Sequence, residues 1–289
     1  MYLAYGLLGA AVVAVWLPAW RVQGRELPSW TVLLSAAIIA AWFTGIVDAR
    51  AVAGLGVLAG LCVVAARAQR GWRAVWMVIV LPLSLALSIH AVPGFHNPKV
   101  FDGVRLSADA QPFTQYLNFD KGAVGLLLLA LFCRRAPQPG VSHRWGVAAL
   151  IAMAGTVATL ALGMVLGVVR WDVKCPDGFW VFLIVNLLFT CVAEEAFFRG
   201  VIQERLASAV GPRPWAVPAS VAVSAGLFAL AHTGGGPRMI ALAGVAGLGY
   251  ALAYARTRSI ESAIGAHFLL NACHFFAFSY PALEVAARN

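Results

Sequence analysis

The stretch CVAEEAFFRG, residues 191–200, follows the uncharged run FWVFLIVNLLFT and continues as VIQERLA. Two adjacent glutamates and an arginine inside so apolar a segment need a reason. An ionised side chain at the centre of a bilayer costs about 2.5–3.5 kcal/mol on insertion scales, so such residues face the interior of a bundle and carry function. Glu195 and Arg199 are four apart, acid ahead of base, the favourable order for a pair on one helix face. Glu194 is rotated from that face by about 100°. The spacing therefore divides the work. Glu195 with Arg199 reads as a structural ion pair, and Glu194 as the carboxylate left to act as a general base in an apolar, partly wet cavity.

The composition around this stretch agrees. The chain has 289 residues, 61% of them hydrophobic and 11% charged. A soluble domain carries about 25% charged residues, so no polar surface could cover this chain, and it reads as an integral membrane protein. The formal charge of +9 comes from Lys and Arg scattered through short loops. That is the pattern of anchors for anionic headgroups, and it argues against a nucleic-acid partner. Five cysteines are dispersed without a CxxC pair, which suits small core residues better than disulfides or metal ligands. The N-terminus, MYLAYGLLGAAVVAVWLPAW, lacks a basic leader and reads as a first membrane helix rather than a cleaved signal peptide.

Apolar runs at 2–20, 30–47, 51–66, 72–92, 121–133, 146–169, 178–206, 215–232, 238–255 and 259–278 predict an all-α polytopic bundle of about 8–10 transmembrane helices. The run at 121–133 is short, and reads either as starting inside the preceding loop or as partly re-entrant. The segment 93–120, rich in Pro, Gly, Asn and Asp, reads as an ordered extramembrane loop. Loop arginines favour an external N-terminus. No internal repeat is evident, which speaks against a transporter built from duplicated halves. Residues 1–145 form an expected N-terminal transmembrane module and 146–280 an expected catalytic core.

Two further polar pairs lie on hydrophobic helices beyond the glutamates. FALAH places Phe228 and His232 four apart, just before Thr233 and three glycines. HFLLN places His267 and Asn271 four apart, with His274 further along. Taken singly, each has a bland explanation. His90 and His274 read as packing or hydrogen-bonding residues, and Asn271 alone could join two helices. The joint occurrence is harder to dismiss: Glu-Glu-x-x-x-Arg, Phe-x-x-x-His and His-x-x-x-Asn fall in order on three separate helices.

This ordered set resembles the CPBP family of intramembrane proteases. The family includes CAAX prenyl endopeptidases of the Rce type, bacteriocin-processing and immunity proteins, and lysostaphin-resistance-like proteins. The resemblance covers about 146–280 and leaves the N-terminal half unexplained. It implies an all-helical bundle with an intramembrane catalytic cavity, and an endopeptidase acting on a membrane-associated protein or peptide. Glu194 would activate water with help from His232, and His267 and Asn271 would stabilise the oxyanion. Glu195 and Arg199 would brace the first motif, and Phe228 would pack the cavity wall.

The rival chemistry is a zinc site made of Glu194, His232 and His267, with one coordination position open. HExxH is absent, and using Glu194 as a ligand would leave no evident base, so the metal-free reading, with no cofactor, is preferred. A non-proteolytic scaffold or immunity protein of the same fold is the alternative from another class. The expected location is a bacterial inner membrane, and the expected partners are lipid and a membrane-borne substrate. One constraint follows from helix lengths: Glu194 and His232 can meet only near mid-depth.

Overall fold

The computed structural model describes residues 2–136, 144–284 and 286. Ten helices run through them: α1 (Tyr2–Ala14), α2 (Ser29–Phe43), α3 (Ala49–Arg67), α4 (Arg70–Ser88), α5 (Phe119–Phe132), α6 (Arg144–Val165), α7 (Phe179–Val210), α8 (Ala216–Leu230), α9 (Gly236–Thr257) and α10 (Ile260–Ala277). Five segments are long and apolar enough to cross a membrane: Ala49–Arg67, Gly71–Ser88, Arg144–Val165, Phe179–Val210 and Thr233–Thr257. The protein is a helical, multi-pass membrane protein. Two short two-stranded sheets interrupt the helices, β1 (Trp20–Val22) antiparallel to β2 (Arg25–Leu27), and β3 (Lys99–Val104) beside β4 (Phe113–Tyr116).

The chain forms two compact units. The first comprises Met1–Lys99, Tyr116–Cys133 and Leu188–Phe197, and the second Val100–Gln115, Arg134–Leu187 and Phe198–Asn289. The chain of α7 thus begins in the second unit, passes through the first and ends in the second.

In the first unit α1 packs on α2 and α3 on α4, and α5 contacts α1, α3 and α4. The α3 start is capped by Asp48, whose carboxylate accepts from the N–H groups of Arg50 (2.8 Å) and Ala51 (3.2 Å). At its other end the Arg73 guanidinium donates to the carbonyls of Ala65, Ala66 and Ala68, satisfying acceptors that the last helical turn leaves open. An arginine expected as a loop anchor is therefore spent on a helix terminus. The short run near 121 is α5. Fourteen residues span about 21 Å, less than the roughly 30 Å hydrocarbon core. Every residue from Gly122 to Leu129 is buried. Burial on every face, more than apolar composition, puts this helix inside the unit and away from a lipid face.

In the second unit α9 packs against α6, α8 and α10, and α6 also contacts α10. The loop expected over 93–120 is ordered and carries β3 and β4. Phe101 and Phe113, one from each strand, join Phe182 of α7 and Phe275 of α10 in a buried aromatic cluster. There Phe182 and Phe275 stack at 3.8 Å and Tyr280 meets Phe113 edge-on at 5.0 Å. The Arg170 guanidinium forks onto Asp109, at 2.7 and 2.9 Å to the two carboxylate oxygens. These hydrogen bonds hold the Asp109 carboxyl below its ordinary titration range. The share of stability they give is present above about pH 4 and is lost as pH falls through the lowered value.

Gly94 shows how tightly the first unit's loop is fitted. Its φ is +102°, its carbonyl accepts from the Asp48 N–H at 2.9 Å, and an added Cβ would lie 2.1 Å from Asp48 Oδ1. Gly94→Ala must both strain the backbone and displace the α3 cap. The expected loss is roughly 1–3 kcal/mol, read as a lowered Tm in detergent, while Gly56→Ala, which meets nothing within 4 Å, leaves Tm near wild type.

Candidate active site

Helix α7 is not a uniform α-helix. Phe179–Val185, Val192–Glu195 and Glu204–Val210 are α-helical, and the intervening Asn186–Cys191 and Ala196–Gln203 follow the wider i→i+5 pattern. Glu194 and Glu195 thus occupy a single α turn between two π-helical stretches, a distortion that recurs at functional sites. The two glutamates differ in exposure as their spacing predicts. Glu195 is wholly buried, whereas the Glu194 side chain is 19% exposed.

Within the first unit, Glu194 meets a residue that the sequence reading did not single out. Lys121 Nζ donates to Glu194 Oε1 at 2.7 Å, and the lysine side chain is likewise 19% exposed. The approach is made by glycine. A Cβ on Gly125 would fall 2.7 Å from both Cα and Cβ of Ala193, and one on Gly122 would fall 2.8 Å from the Phe189 ring. Lys121 and Gly125 are four apart and share a face of α5, and Ala193 immediately precedes Glu194. Close backbone contact at small residues is a characteristic packing mode inside membranes.

The start of α5 is itself pinned. Asp120 is wholly buried and accepts from His90 Nδ1 (2.6 Å) and Asn97 Nδ2 (3.1 Å), and Asn97 Oδ1 accepts the Phe119 N–H at 2.9 Å. His90 ends α4 with φ +62°, a left-handed conformation that costs a non-glycine residue roughly 1–3 kcal/mol. Its bond to Asp120 offsets part of that cost. His90 is therefore the hydrogen-bonding residue that the sequence reading expected.

The second unit holds the other candidates. Arg199 is wholly buried. Its Nη2 donates to the Gly247 carbonyl at 2.8 Å, and its guanidinium carbon lies 4.7 Å from the Phe228 ring, 5.3 Å from Tyr250 and 5.8 Å from Phe198. Phe228 is a hub more than a wall. It also meets His232 at 4.7 Å and His267 edge-on at 5.8 Å. His232 follows the end of α8, before the short 3₁₀ turn Thr233–Gly235. Its Nδ1 bonds the Phe228 carbonyl at 2.8 Å, which fixes the proton on Nδ1 and makes Nε2 the acceptor in the neutral ring. His267 is buried and stacks on Tyr250 at 4.6 Å, with an interplanar angle of 14°. One turn further along α10, Asn271 Nδ2 donates to Asn186 Oδ1 at 3.2 Å, which sets the direction of the Asn271 amide.

Phe228 thus brings His232 and His267 together, and Asn271 is tied to a second asparagine on α7. His274 Nε2 bonds the Ser279 carbonyl at 3.2 Å and is a hydrogen-bonding residue of the kind expected. Lys121, Asp120, Asn186 and Tyr250 were missed. An Asp-Lys pair heading an apolar run, and an asparagine eight residues before Glu194, were available signals for all but Tyr250.

Because Gly125 faces main chain rather than a yielding side chain, Gly125→Ala has to separate α5 from α7 locally. The expected cost is about 1–3 kcal/mol of stability, measured as a lower Tm in detergent, and Gly125→Leu is expected to fail to accumulate. Gly146→Ala, where an added Cβ meets nothing within 4 Å, is the neutral control.

Residues 176–273 match the family model of the type II CAAX prenyl endopeptidase Rce1-like proteins. No curated protein and no solved structure matches the chain. The matched segment runs from just before α7 into α10 and contains all seven residues of the three motifs. The part of this multi-pass membrane protein that carries the three motifs, residues 176–273, is thus similar to the Rce1-like type II CAAX prenyl endopeptidases.

Proposed function

We propose that the protein is an intramembrane endopeptidase in which Glu194 activates the attacking water. The observation that carries this reading is the state in which Glu194 is kept. It is a carboxylate inside an apolar helix, partly exposed and engaged by an ammonium, within the segment that matches a protease family. A water O–H bond breaks as its oxygen bonds to the scissile carbonyl carbon, and the proton passes to Glu194. His232, with Nε2 as its acceptor, assists in holding that water. The carbonyl electron pair moves onto oxygen, where His267 and Asn271 are the assigned donors. Collapse breaks the C–N bond, and the proton leaves Glu194 for the departing amine. Donors of this kind act strongly in a low-dielectric site. Arg199, Glu195 and Phe228 hold the groups around them and take no part in proton transfer.

One observation favours water activation by the carboxylate over a zinc site of Glu194, His232 and His267: Glu194 already carries a cation at hydrogen-bond distance. No step is routed through a metal. The substrate class proposed is a membrane-anchored protein or peptide, and the printed name of the matched family makes a farnesylated peptide ending in a CAAX sequence the natural probe.

The test is hydrolysis of an internally quenched farnesylated CAAX peptide by the protein in liposomes, with new peptide ends in host membranes scored in parallel. Wild type is expected to cut. Glu194→Gln is expected to lose about 10²–10⁴-fold in rate at unchanged folded yield, whereas Glu195→Gln mainly lowers the yield. Asn271→Ala is expected to lose about 10²–10³-fold. Full activity in Glu194→Gln would overturn the assignment, and inhibition by a chelator, reversed by zinc, would replace it with the metal site.

A further inference from the structure

The mechanism above gives no task to Lys121, yet a lysine is costly where it stands. It lies in the first turn of α5, where the exposed N–H groups of the helix disfavour a cation, and is followed by twelve residues without a charge. Both its side chain and that of Glu194 are four-fifths removed from solvent, so the pair is weakly screened. Asp120, the neighbouring residue, is the acid that a helix start favours, and it is already engaged with His90, Asn97 and the Lys121 N–H. Local helix energetics therefore account for Asp120 and leave Lys121 unexplained.

We propose that Lys121 is the positioning residue for Glu194. This rests on the reading of Glu194 as the water-activating group. The terminal torsion of a glutamate is broad, so a carboxylate on a helix does not by itself hold one orientation. An ammonium 2.7 Å from Oε1 fixes the plane in which the carboxylate presents itself. The lysine can do so because its own base is rigid. Gly125 seats α5 against the backbone of Ala193, Asn97 holds the Phe119 N–H, and the Tyr5 hydroxyl donates to the Leu117 carbonyl at 2.8 Å. Lysine, glycine and the Asp120 network thus form one device, in which the network and the glycine set where the ammonium is and the ammonium sets the carboxylate. The first unit, outside the family match except for part of α7, gains a role in the chemistry by this route.

The experiment uses the full-length protein in liposomes and the quenched farnesylated peptide. Lys121→Met is expected to lower kcat about 100-fold with KM within about twofold, since a misplacement of about 1 Å in a reacting group costs that much. Lys121→Arg, which keeps a cation, is expected to recover at least about tenfold of the loss. On a Glu194→Gln background, Lys121→Met is expected to add no further loss, because the lysine acts only through the carboxylate. A purely structural lysine would lower Tm and folded yield while leaving kcat per folded molecule near wild type, and that result overturns the proposal. So does an additive loss in the double variant. Should Lys121→Met not accumulate, Lys121→Gln, which keeps a neutral donor, is read by the same criteria. Failure of the underlying reading looks different: wild type does not cut, or Glu194→Gln cuts as wild type does.

Discussion

An ion pair removed from water is sustained only by close geometry, and the Lys121–Glu194 pair imposes that condition on the whole first unit. Two charges out of solvent lose several kcal/mol of hydration each, and their attraction compensates only at contact distance. Contact at 2.7 Å requires α5 to lie against α7 backbone to backbone, hence the glycines at 122 and 125. It requires the first turn of α5 to be fixed, hence the buried Asp120 and the histidine and asparagine that hold it. It also explains why α5 is too short to span a bilayer and is buried on every side, since it works as an internal strut.

The second unit holds a buried cation of its own. Arg199 is held among three aromatic rings and by one main-chain carbonyl, where delocalised charge and ring faces replace much of the lost hydration. That choice fixes more than the arginine. Phe228 and Tyr250, which receive the guanidinium, are the rings against which His267 lies, and Phe228 supplies the carbonyl that selects the His232 tautomer. Both histidines are thus oriented by contacts with the rings that receive the guanidinium. Strands β3 and β4 add rigidity within this unit, since their phenylalanines close an aromatic cluster that includes one residue each of α7 and α10.

Much of this was legible from the chain alone. Ten apolar runs became ten helices because burial in lipid leaves the backbone little choice but helix. Glu194 and Glu195 separated into a partly exposed and a buried residue, as adjacent positions on a helix must. His90 and His274 proved to be hydrogen-bonded, as expected of lone histidines. The two sheets were not foreseen, because β3 and β4 are short strands within a segment whose Pro, Gly, Asn and Asp content reads as loop. Lys121 was passed over because a lysine at the mouth of an apolar run looks like any headgroup anchor, and Arg73 was passed over for the same reason.

The sequence by itself determined the membrane class, the helices, the three ordered motifs and the different exposure of two adjacent glutamates. These follow from local rules: apolar length, the pitch of a helix, and the cost of burying charge. Only the tertiary structure decided which cation answers Glu194, which ring stacks on His267, and which asparagine turns Asn271. Those partners are contributed by residues 73, 17 and 85 positions away along the chain, and no periodicity within one helix encodes which face of another it will meet.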